Sequence, residues 1–130
     1  MSGILLAERK GWVLKLFGSK RELDIREELI NSKKSLFKGE SNNKLFDVLQ
    51  ENFPKLTTAY TISWIPEQGE DLYKILIDDS IIADIEINRV NREAIPLVKT
   101  ISISEYSKGL SKISKIRLAV AMDLAQKDFT

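Results

Sequence analysis

A chain of 130 residues, 43% hydrophobic and 30% charged, with a formal net charge of +1, has the composition of a folded water-facing protein and argues against a disordered or membrane-embedded one. Its length supports one core rather than two, so residues 1–130 are read as a single domain. It contains neither cysteine nor histidine, which removes disulfides, thiolate metal sites, the commonest general base and the usual serine or cysteine triads together.

At the N-terminus the apolar run "ILLA" is interrupted by Glu8, Arg9 and Lys10, short of the roughly 7 to 15 residues of a secretory core, and nowhere is there a span of about 20 for a membrane helix. A cytoplasmic protein is the expectation. "GILLAERKGWVLKLFG" reads as two short strands around an Arg-Lys-Gly turn, with Gly11 supplying positive φ. Ser19 and Glu22 have capping-box spacing and open a helix to about Ser32 that buries Leu23, Ile25, Leu29 and Ile30. After a break at Gly39, a second helix from Ser41 to Asn52 places Leu45, Val48 and Leu49 at helical spacing and stops before Pro54.

From Thr58 the period becomes two. Tyr60, Ile62 and Trp64 fall on one face of a half-buried strand, which predicts Trp64 in the core. "PEQGED" reads as a hairpin loop, "LYKILI" as the returning strand, and Asp78, Asp79 and Ser80 as a second tight turn. In "IIADIEIN", Ile81, Ala83, Ile85 and Ile87 point one way, toward a core under the last helix, while Asp84, Glu86 and Asn88 point the other. "LVKTISIS" makes a fourth strand. Gly109 breaks the chain, and Ser111 caps a last helix that is apolar nearly all round from Leu118 to Ala125, so it is expected to pack on more than one side. The fold class is α+β: an antiparallel meander of about four strands, with N-terminal helices and a C-terminal helix packed on the sheet.

Charge distribution carries the functional reading. Residues 67–86 hold seven acids, Glu67, Glu70, Asp71, Asp78, Asp79, Asp84 and Glu86, against one base, Lys74, a local charge of −6 in a chain of net +1. Such a segment steers a basic partner, and these seven residues are the candidate partner-binding site; the plainer reading is a solvated surface of turns and one strand face. Asp78, Asp79, Asp84 and Glu86 are also the oxygen ligands a magnesium-dependent nuclease would use, but Asn88 stands where an acid followed by Glu-x-Lys would place lysine. Bases such as Lys20, Arg21, Lys112, Lys115 and Arg117 could track phosphates, yet Glu22, Asp24, Glu27 and Glu28 are interleaved and no aromatic stacking motif accompanies them, so nucleic acid ranks below protein as a partner. No catalytic residue, resident metal or cofactor is assigned.

"SWIPEQGEDLYKILIDD" (63–79) and "GLSKISKIRLAVAMDLA" (109–125) resemble stretches of small bacterial immunity proteins, which neutralise the toxin domains of contact-dependent growth inhibition and related polymorphic toxin systems. These proteins share no common site motif, so the resemblance implies a role and no site residues. That role is a cytoplasmic, non-enzymatic toxin inhibitor that blocks one cognate toxin domain, often a nuclease, by protein–protein interaction. An acidic face in which carboxylates imitate the phosphates of a nuclease's substrate suits such a target.

Overall fold

The computed structural model describes residues 15–38 and 44–129. The expected hairpin around Arg9, Lys10 and Gly11, the break at Gly39 and the helix start at Ser41 lie outside the described residues. Within them, two helices, α1 (Lys20–Lys38) and α2 (Leu45–Asn52), precede four strands, β1 (Ala59–Glu67), β2 (Glu70–Ile77), β3 (Ile81–Asn88) and β4 (Leu97–Ser102); two helices follow, α3 (Ile103–Ser107) and α4 (Lys112–Asp128). The sheet order is β1-β2-β3-β4 with every pair antiparallel, the expected α+β meander. Among the described residues no helix is long and apolar enough to cross a membrane.

The start of α1 is the capping box read from the sequence. Ser19 Oγ accepts from Glu22 N at 3.2 Å, while the Glu22 carboxylate accepts from the backbone N–H groups of Phe17, Gly18 and Ser19 and from the Ser19 hydroxyl at 2.7 Å. Burial pushes the Glu22 carboxyl up, but these donors outweigh it and hold the group below its usual range. The helix passes the expected end at Ser32 because Leu36, seven residues beyond Leu29, continues the buried stripe. Leu23 is exposed rather than buried, since it stands about 200° around the helix from Ile25.

Two tight turns hold the meander. Pro66, expected to end the first strand, lies inside β1 paired with Asp71; β1 is an edge strand, where a missing N–H is tolerated. The connection shrinks to Gln68-Gly69, with Gly69 at φ 73°, a conformation open to glycine. At the other end Asp78 takes φ 53° and its Oδ1 accepts from Thr57 N at 2.8 Å and Thr58 N at 3.0 Å.

Both faces of the sheet are apolar where helices cover them. On one, Tyr60, Ile62, Leu76 and Ile82 pack with Ile25 and Leu29 of α1 and with α4, whose residues Leu118 to Ala125 are all buried, as the all-round apolar pattern implied. On the other, Ala59, Tyr73, Ile75, Ile77, Ala83, Ile85 and Ile87 pack with Leu36 of α1 and with Leu45, Val48 and Leu49 of α2. The expectation that the Ile85 face meets the last helix is thereby corrected. Ile81, Ala83, Ile85 and Ile87 do share a face, but α2 covers it, and Ile82 between them meets α4. The fourth strand stops at Ser102 because its hydroxyl caps α3, accepting from Glu105 N at 3.1 Å.

Candidate functional site

Residue Ile62 is the extra one in a β-bulge between Thr61 and Ser63. A bulge reverses which side the following residues occupy. Trp64 therefore leaves the Tyr60 face and stacks on Tyr73 of the opposite face, with ring centroids 6.4 Å apart and planes at 10°. It is 59% exposed, which corrects its expected place in the core.

The same bulge puts Ser63, Ile65 and Glu67 on the Leu76 face. Three cross-strand rows then run away from α4. Tyr60, Leu76, Ile82 and Ile101 form the covered row; Ser63, Lys74, Asp84 and Lys99 the next; Ile65, Leu72, Glu86 and Leu97 the third. Glu67 and Glu70 stand directly opposite each other beyond them. Ile65 is 52% and Leu97 59% exposed, so this end of the face is open to solvent.

The seven candidate acids divide into three groups. Glu67, Glu70 and Glu86 lie together on the open half-face, and among the described residues none has an ion-pair partner. The Arg89 guanidinium, close by, donates to the Glu67 backbone carbonyl. Asp84 shares that face but is paired with Lys74 at 3.0 Å, and Lys99 sits opposite it in register. Asp71, Asp78 and Asp79 are engaged in the fold: Asp71 points to the other face, is buried, accepts from Trp64 Nε1 at 3.0 Å and has Arg89 Nε at 3.6 Å; Asp78 holds the Thr57 and Thr58 amides; Asp79 accepts from Gln126 Nε2 at 2.6 Å. The two acidic turns are at opposite ends of β2, about 25 Å apart at 3.3 Å per residue.

The −6 segment is thus no single patch. Bases outside the segment, Arg89 and Lys99, reach it through strand pairing, and three of its acids, Asp71, Asp78 and Asp79, are engaged within the fold. The carboxylates offered to magnesium do not converge either, for among the described residues no three acids come together as a metal site.

A second polar cluster, not found in the sequence, lies where α1, β1 and α4 meet. Asp128 accepts from the Tyr60 hydroxyl at 2.6 Å, Thr58 Oγ1 at 2.7 Å and Lys33 Nζ at 2.9 Å, and Lys33 also lies 5.3 Å from the Tyr60 ring centroid. Burial, then the hydrogen bond and charge of Asp128, push the Tyr60 phenol well up, so it stays a proton donor. One turn back, the fully buried Asp123 faces Arg26 at 2.9 Å and Lys127 at 3.0 Å. These are charge pairs without aligned hydrogen bonds to either Asp123 oxygen. The cluster ties three elements together. Its one legible signal was Asp123, the charge inside the apolar run "LAVAMDLA".

No family model, no curated protein and no solved structure matches the chain.

Proposed function

We propose that the chain is a bacterial immunity protein that binds and neutralises a basic toxin domain through the open half of its sheet. The observation that carries this reading is the pairing of Glu67 with Glu70 beside the exposed Ile65 and Leu97. Like charges directly opposite in a hairpin disfavour folding, and an apolar strip rimmed by such charges is the composition of a docking surface, in which the strip supplies burial and the acids supply orientation. Glu86, in the row between Leu72 and Leu97, adds a third carboxylate. A cationic cleft of a nuclease, built to hold phosphates, is the complementary surface. The protein then needs no chemistry of its own, and inhibition is steric and electrostatic.

The test is coexpression with toxin domains encoded in the genomic neighbourhood of the chain, if the neighbourhood encodes any. The wild-type chain is expected to restore growth, and a Glu67→Lys, Glu70→Lys, Glu86→Lys variant to fail at an unchanged melting temperature. Full protection by the variant would contradict the reading.

A further inference from the structure

Beneath Trp64 lies a cleft of about 270 Å³ between α1, α2 and the edge of the sheet. Leu36, Leu45, Trp64 and Tyr73 form its apolar and aromatic lining, and Ser32 and Ser35 its rim. We propose that this cleft is an anchor site for one uncharged, apolar or aromatic side chain presented by a protein partner.

Three observations select that occupant. The volume, about 270 Å³, sits at the lower edge of the roughly 300 to 1,000 Å³ of small-molecule sites and gives room for a single side chain. Among the described residues no charged side chain lines the cleft, so against them a lysine or arginine would lose its hydration without gaining a counter-ion. Finally, the exposed indole is already ordered. It stacks on Tyr73, and its Nε1–H is held at 3.0 Å by the buried Asp71, which Arg89 approaches at 3.6 Å. An aromatic wall fixed before contact loses little rotamer freedom when a partner covers it, as at binding hot spots.

Trp64 and Ile65 are consecutive on edge strand β1 and point to opposite faces. A partner gripping that edge reaches the cleft on one side and the Glu67–Glu70 strip on the other. The identity of the partner rests on the reading proposed above; the cleft's preference for uncharged side chains does not.

The experiment titrates the full chain carrying Trp12→Phe with N-acetyl-phenylalaninamide, N-acetyl-leucinamide and N-acetyl-argininamide, following the Trp64 indole N–H resonance. A saturable shift with the phenylalanine or leucine amide is expected, with the arginine amide at least tenfold weaker. Ser35→Phe, which fills the cleft from the rim, should abolish the shift; Ser32→Leu replaces it if that variant does not fold. No saturable shift with any amide, or equal binding of the arginine amide, would overturn the proposal. A second arm measures affinity for the toxin domain, where Ser35→Phe should weaken binding tenfold or more, and unchanged affinity would remove the cleft from the interface. Because the amides need no toxin, their binding with no protection in cells would keep the cleft and discard the docking reading, and the reverse pattern would discard the cleft alone.

Discussion

Tyr60, Leu76 and Ile82 at one end of the sheet, and Ile65, Leu72 and Leu97 at the other, occupy the same face of the same antiparallel ladder. The first set is buried under α1 and α4; in the second, Ile65 and Leu97 are more than half exposed and lie beside carboxylates that have no ion-pair partner among the described residues. Strand alternation assigns a residue to a face and leaves open what covers it. Here the helices cover one end of the face and leave the other exposed; the docking reading proposed above assigns the covered end to folding and the open end to recognition.

The sharpest way to break that comparison is to place the same charge at both ends. Ile82→Asp buries an unpaired carboxylate in a fully enclosed position and should remove more than about 4 kcal/mol, enough to unfold much of the population. Leu97→Asp, on the open row, should cost no more than about 1 kcal/mol, most of it from facing Glu86 across the strands. Urea midpoints of the two variants decide it, and similar losses would mean that the open end is also core.

The next largest effect concerns Asp123, which belongs wholly to the covered end. Asp123→Ala leaves Arg26, about three-quarters buried, without its partner and should cost about 3 to 5 kcal/mol. Asp123→Leu combined with Arg26→Met should recover most of that loss. A double variant as unstable as the single one would show that the pair does more than neutralise itself.

Smaller again is the Asp128 clamp. Burial raises this carboxyl, but hydrogen bonds from Tyr60, Lys33 and Thr58 outweigh it and depress its pKa below the ordinary 3.8. A depressed folded-state pKa means stability that is fully present above the unfolded value and is lost as pH falls through the folded one. Melting temperature should therefore decline below about pH 4 through this group, and Tyr60→Phe should remove about 1 to 1.5 kcal/mol at neutral pH and flatten part of the acid decline. An acid profile identical in wild type and Tyr60→Phe would contradict the clamp. The smallest stability effect is expected from reversing Glu67, Glu70 and Glu86, within about 0.5 kcal/mol per site, because the opposed 67/70 pair stays like-charged after the reversal; chemical denaturation would check it.

What the sequence made legible was local. Ser19 with Glu22, Ser111 before α4, and the apolar belt of Leu118 to Ala125 are short-range patterns whose physics lies within one or two turns, and each has its counterpart in the structure. Ser102 with Glu105 has the same capping spacing, a signal overlooked inside an apparent strand. Two kinds of information were not legible. One inserted residue, Ile62, moved Trp64 to the other face, and nothing in "YTISW" distinguishes a bulge from regular pleating. Strand pairing brought Arg89 and Lys99 to acids that look uncompensated along the chain. The structure leaves Glu67, Glu70 and Glu86 together on the open half-face beside Ile65 and Leu97, the residues the proposed docking surface uses, while Asp71, Asp78 and Asp79 are engaged within the fold.

The central claim, that the open half-face receives a basic toxin domain, is tested most directly by the association rate constant at low and high salt. The account predicts that wild-type association slows tenfold or more as salt rises, and that the Glu67→Lys, Glu70→Lys, Glu86→Lys variant associates slowly at both with little salt dependence. Equal rates and equal salt slopes for the two proteins would contradict it.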